Sequence, residues 1–424
     1  MSRRLPTLTL LVVWTGLAAG LASAENPSFD LGGRVSPQVR VTSYPDDSLL
    51  HDLFGATSTD CAFDARVVLG VEHGRWSLDI DSQLIGIYAD SLEASRRVPD
   101  ELRGLLLQLP NDDERFMDLT SVLNDRGKSA SLLRLDRLAV GFTTDNFVMK
   151  LGRQAITWGN GLVYNVMDIF NPFDPTAVDK EYKTGDDMLY GQYLHPSGDD
   201  VQGVMVIRRD PVDGEVASDR GSLAFKYHHM ASVSELDALL AWHYDEALVG
   251  AGFNWSIGGS VWRGDLVVTF TDDDTVPSLV TSLSHSWTWG GTNVSGGVEY
   301  FYNGFGLTDG CYAAACLASH PDLTRRITRG ELFTLARHYL SLSAVVEVTP
   351  LFLVTPNLFV NLADPSALVQ VLLQNDLRQD MVLWTAINLP VGASGTEFGG
   401  PASPVPGRDL SAGPSLSMQL VWYW

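Results

Sequence analysis

The stretch that most restricts how this chain folds is its last nine residues, Leu416–Trp424. Read alternately, Leu416, Met418, Leu420, Trp422 and Trp424 share one face, and Ser415, Ser417, Gln419, Val421 and Tyr423 share the other. Side chains two residues apart point the same way in an extended strand. A stripe of this kind, ending in two tryptophans, suits poorly the exposed edge of a water-soluble sandwich. A membrane barrel, by contrast, turns one face of every strand to lipid and sets aromatics at the interface.

The closing stretch resembles the last strand of Gram-negative outer-membrane proteins. Their alternating apolar residues and terminal aromatic form the signal read by the barrel-assembly machinery. The resemblance implies that Leu416, Met418, Leu420, Trp422 and Trp424 carry that signal here, with Trp424 in place of the more usual Phe. The other end agrees. Arg3 and Arg4 precede an apolar run from Leu8 to Leu21 and then Ala22-Ser23-Ala24, which is the pattern of a secretory leader cut after Ala24. We therefore expect a leader over 1–24 and a single outer-membrane barrel over 25–424. After the leader no apolar run is long enough for a spanning helix, and only a closed barrel then satisfies the backbone in lipid.

A hydrophobic content of 45% is compatible with a soluble protein or a barrel and decides nothing. The formal charge of −22 argues against nucleic acid as partner, because phosphate binding needs clustered cations. The expected surroundings are outer-membrane lipids and lipopolysaccharide. Of the three cysteines, Cys311 and Cys316 lie in Cys-Tyr-Ala-Ala-Ala-Cys and suit a small loop disulfide in an exported protein. Cys61 is left over and is expected to pack as a small apolar residue. No metal site or cofactor is expected. Asp272-Asp273-Asp274 lacks the spacing of a calcium loop and reads as a solvated turn.

Period-two alternation marks about 18 candidate strands, with 16 as the other count, which makes the fold class all-β: a transmembrane antiparallel barrel. The connections alternate in length. Long ones at Tyr44–Asp60, Ala89–Ala130, Gly159–Asp186, Asp210–Arg220, Asp272–Ser278, Gly304–Gly330 and Pro390–Ser411 all follow odd-numbered strands. Those after even-numbered strands are tight, such as His73-Gly74-Arg75 and Gly290-Gly291. Outer-membrane barrels distribute extracellular loops and periplasmic turns in this way.

If the apolar faces meet lipid, Arg34, Arg40, Asp64, Arg66, Glu72, Asp79, Asp81, Lys226, Arg263 and Asp265 face inward. Charges of both signs imply a hydrated lumen, although any one of them can instead pair across strands and brace the wall. Leu151-Gly152-Arg153-Gln154, followed by Thr157-Trp158-Gly159, resembles a motif of alginate-export-like and related porin-type barrels. That resemblance implies diffusive passage of a small solute or polymer. The following loop is strongly apolar, from Leu162 through Phe170 and Phe173, and apolar surface of that extent is buried or binds something. It is expected to fold inward and narrow the lumen, with Arg153 and Lys180 or Lys183 near the constriction. The alternative is packing against neighbouring loops. Helical spacing marks Asp100–Leu109 and Asp112–Leu123 within the longest loop.

No catalytic motif stands out: Ser284-His285-Ser286 and His228-His229 put neighbours on opposite faces of a strand, and no enzyme is expected. The function read from these features is a passive outer-membrane channel with a loop constriction. The alternative is an outer-membrane partner in lipid or hydrophobic-compound transport, with the apolar loop as the ligand surface.

Overall fold

The computed structural model describes residues 26–96 and 109–424. The expected leader and almost all of the helix expected over 100–109 lie outside those residues. Among the described residues, nineteen strands form one antiparallel sheet. They are β1 (Ser28–Ser43), β2 (Thr57–His73), β3 (Trp76–Ala89), β4 (Thr120–Arg126), β5 (Ser129–Thr143), β6 (Phe147–Gln154), β7 (Asp186–Leu194), β8 (Asp200–Val206), β9 (Ser222–Met230) and β10 (Ser234–His243). The others are β11 (Glu246–Ile257), β12 (Ser260–Phe270), β13 (Thr275–Trp289), β14 (Thr292–Tyr302), β15 (His338–Thr349), β16 (Phe352–Asn361), β17 (Ser366–Arg378), β18 (Met381–Val391) and β19 (Ser415–Tyr423).

β1 pairs with β2 on one side and β19 on the other, so the sheet closes on itself. The seam is sealed by Gly33 N–H to Trp424 O (3.2 Å) and Trp424 N–H to Gly33 O (3.1 Å). Closure leaves no edge groups unpaired, which is what a sheet in lipid requires. Eighteen strands make the wall. The extra strand, β4, pairs with Ser129–Arg134 of β5, while β6 pairs with Leu138–Thr143 lower on the same edge.

The two faces divide as the alternation predicts. Leu416, Met418 and Trp422 are exposed outward at 43%, 40% and 44%, while Ser417, Gln419 and Val421 are buried inside. One rim carries turns of two to five residues: 74–75, 144–146, 195–199, 231–233, 258–259, 290–291, 350–351 and 379–380. Trp76, Tyr193, Trp255, Trp262, Trp289 and Trp424 sit outward near that rim, an interfacial aromatic girdle. The long connections share the opposite rim.

Several sequence expectations are corrected. Asp112–Leu123 is not helical. Asp112 uses one carboxylate oxygen on Arg115 and the other on Arg153, Leu119 N–H and the Thr120 hydroxyl, and the chain then enters β4. The Asp272–Ser278 connection is only the four-residue turn 271–274. β15 begins at His338 rather than near Glu331, because Glu331 is drawn aside toward His243 (3.3 Å). Cys61 is exposed on the outer face of β2, opposite Val39, rather than packed. Cys311 and Cys316 are joined in a disulfide.

Candidate pore constriction

The connection 155–185 turns into the barrel and touches the wall almost all the way round. Its first half is apolar, and burial is the force that folds it inward. Trp158, Met167, Ile169 and Phe170 pack on Met188, Val204, Ala224, Leu239 and Val267 of β7 to β12. Tyr164 stacks on Phe301 of β14, with ring centroids 4.6 Å apart, beneath Leu307, Tyr312 and Leu323 of the 303–337 loop. The apolar half thus lies inward and also packs under a neighbouring loop.

Polar wall residues fix its backbone. Trp158 Nε1–H donates to Gln202 (2.7 Å), and Asn160 donates to Asp265 (2.6 and 2.8 Å) and Asp237 (3.0 Å). The Glu299 carboxylate accepts three consecutive backbone N–H groups, from Leu162 (2.6 Å), Val163 (3.0 Å) and Tyr164 (2.7 Å). Loop backbone leaving the sheet loses its ladder partners, and these side chains replace them.

The second half runs along the other side. Gln370 of β17 donates to Thr176 O (2.9 Å). Arg34 of β1 donates to Asp179 and Glu181, each at 2.8 Å, and Tyr423 of β19 donates to Glu181 (2.8 Å). The Tyr182 ring is flanked by the Arg34 and Arg66 guanidinium groups at 4.6 and 4.1 Å, each attracted to the negative ring face. Lys183 closes the circuit by bonding Ile156 O (2.6 Å) and Asp168. Burial pushes the Asp168 carboxyl up to about 6, even with Lys183 opposing the shift. Gly185 then passes so close to the wall that a Cβ would meet Asp136 O at 2.6 Å.

Arg34, Arg66, Asp79 and Asp81 lie on the inner face of the wall. Arg66 bonds Asp81 (2.7 Å) and Asp136 (3.1 Å), and Asp79 pairs with Lys150 (2.9 Å). Arg40 is exposed on the lumen face, opposite Asp60. Lys180 is exposed and donates to Pro175 O (3.0 Å), and Phe173 is half-buried in the loop. Arg153, Lys183 and Phe170, expected at the constriction, are buried. Arg153 is fully buried between Asp187 of β7 (2.8 and 3.0 Å) and Asp112 of the connection before β4 (2.9 Å), so it pins that loop to the wall. Burial alone would raise the Asp112 carboxyl, but Arg153, with Arg115 and Thr120 bonding it, holds it down at about 2.

Sequence reading missed Arg134, Asp136 and Arg137. A bulge between β3 and β5 pairs Asp81 with Arg137 and Ser82 with Leu135, leaving Asp136 as the extra residue. Asp136 and Arg137 then both point inward, which strict alternation forbids. Glu299 was also missed, although it is the sole charge in β14.

Two cavities flank the loop toward the short-turn rim. One, of about 670 Å³, lies against β2 to β8 and is lined by Asp79, Arg137, Lys150, Tyr182 and Tyr190. The other, of about 570 Å³, separates segment 175–181 from β15 to β19.

A closed 18-strand wall, an apolar outer belt and an inward-folded loop define the architecture of outer-membrane porins. No family model matches the sequence, and no curated protein matches it. Among solved structures, the chain is similar to OccAB4 of Acinetobacter baumannii, with TM-score 0.53 at 8% identity over 95% of this chain and 100% of that one. It is also similar to OccK2 (OpdF) of Pseudomonas aeruginosa, solved with glucuronate, at TM-score 0.52, 10% identity, and 94% and 98% coverage. A BenF-like porin from Pseudomonas fluorescens Pf-5 gives TM-score 0.51 at 9% identity, covering 94% and 99%. At these identities the likeness is one of fold, at the level of porin-type barrels.

Proposed function

We propose that the protein is an integral outer-membrane channel for passive passage of a small solute, narrowed by the 155–185 loop. The observation that carries this reading is the loop's attachment: its first half fills the β7 to β14 side, and its second half is tethered by Thr176, Asp179, Glu181 and Tyr182 along the opposite wall. A chain packed only to fill a core would not need a polar, charge-bearing strand of this kind facing open cavities. Polar lining and a narrow section are what channels use to select. In this reading Arg34 and Arg66 set the position of the loop, and Lys180, Arg40 and Asp79 face the solute. The porin-type neighbours support transport rather than catalysis.

The test is single-channel conductance of the refolded protein in a planar bilayer. Steady openings are expected, and replacing 173–182 with a Gly/Ser linker should raise the conductance severalfold by freeing the β15 to β19 side. A folded barrel that never opens, or a replacement that leaves conductance unchanged, defeats the reading.

A further inference from the structure

The inner wall of β15 to β19 differs from the rest of the lumen. Its acidic and basic residues, Glu347, Asp376 and Arg378, lie near the short turns, and β16, β18 and β19 contain none. The mid-strand positions lining the 570 Å³ cavity are uncharged: amides, hydroxyls and aromatics interspersed with Val345, Leu353, Leu372 and Val421. That volume falls within the roughly 300–1,000 Å³ of small-molecule sites.

Gln370 is fully engaged, donating to Thr176 O (2.9 Å) and Asn388 (3.0 Å) and accepting from Asn357 (3.1 Å). It fixes the loop and the wall in register. The Asn357, Gln374 and Gln419 side-chain carbonyl oxygens accept nothing from the described residues. The hydroxyls of Ser343 and Thr355 and the indole N–H of Trp384 are equally free, and all six residues line the cavity. The charges on its border balance, Arg34 and Lys180 against Asp179 and Glu181.

We propose that this wall is a binding subsite for an uncharged polyhydroxylated solute of monosaccharide to disaccharide size. A sugar hydroxyl both donates and accepts, so it matches a wall of free acceptors interspersed with free donors. A pyranose also presents a C–H face that packs on an aromatic such as Trp384. An ion entering the cavity would find no net charge to compensate its lost hydration. Single neutral hydrogen bonds hold the sugar weakly enough to leave again, as passage requires.

This inference rests on the channel reading, and two measurements separate them. In a planar bilayer, glucose and sucrose should block the current in a concentration-dependent way, and more strongly than glucuronate. Gln374→Leu and Trp384→Phe should each raise the half-blocking concentration by about fivefold, the worth of roughly one hydrogen bond, while conductance in salt alone stays the same. In detergent, saturation-transfer NMR should show sugar contacts that weaken in both variants. Steady current without sugar block or sugar contacts overturns the subsite and leaves the channel. Sugar contacts on a silent barrel overturn the channel and leave the subsite. Preference for glucuronate, or block unchanged in both variants, also overturns the subsite.

Discussion

Glu299 stands alone as the charge in β14 and carries three backbone hydrogen bonds from the loop. A buried hydrogen bond contributes about 0.5–1.5 kcal/mol net, and removing the acceptor leaves its donor stranded at a cost of about 1–3 kcal/mol. Glu299→Ala is therefore expected to detach 162–164, seen as larger current fluctuations and faster proteolytic cutting of the loop. Glu299→Gln keeps an acceptor oxygen and should lie between the two. A quiet, protease-resistant Ala variant would count against the anchor. Asp112 gives a pH-dependent counterpart. Its native carboxyl is held at about 2 against an ordinary value of 3.8, so its attachment is complete above about pH 4 and is lost as pH falls toward 2. The difference corresponds to about 2 kcal/mol. Gating noise should rise over that window in the native protein, and Asp112→Asn should be noisy already at neutral pH.

At the scale of elements, the seam between β1 and β19 depends on a close approach. A Cβ at Gly33 would lie 2.3 Å from Arg66 O and 2.6 Å from the Trp424 ring, so a larger residue cannot enter without parting the strands. Gly33→Leu is expected to prevent closure, read as loss of the fast-migrating folded band in unheated gel electrophoresis. Gly32→Leu, where the nearest atom would be 3.5 Å away, is the control and should assemble. The bulge at Asp136 is a second device of this kind. By turning two successive side chains inward, it gathers Arg66, Arg134 and Arg137 around one carboxylate and makes the β2 to β6 side the charged side of the lumen.

The whole molecule is asymmetric across its axis. Apolar loop residues fill the β7 to β14 side, paired charges line β1 to β6, and a wall uncharged except near the short turns spans β15 to β19. Arg34, Arg66 and Arg153 each contact at least two carboxylates, so little of the lumen charge is left to select ions. The cation-to-anion permeability ratio, from the reversal potential in a salt gradient, should stay within about threefold at 1 M salt, where the Debye length is about 3 Å. It should move further from unity at low salt. Strong selectivity at 1 M would mean that the exposed Lys180 or Arg40 dominates.

The sequence by itself determined the barrel. Alternation in strands such as β19, two rims of unequal connections and the absence of a spanning helix leave few other folds for the backbone to satisfy. It also marked the loop at Leu162–Phe173 as one that is buried or binds something. Only the tertiary structure decided which charges face the passage. Arg153, Lys183 and Arg134 have the same chemistry in sequence as Lys180 and Arg40, but the first three are buried against carboxylates: Arg153 against Asp112 and Asp187, Lys183 against Asp168 and Arg134 against Asp136. Period two gives a side chain's face and not its depth, its partner 34 or 147 residues away, or the single extra residue that reverses the count. Those depend on which parts of the ring the loop meets once the barrel has closed.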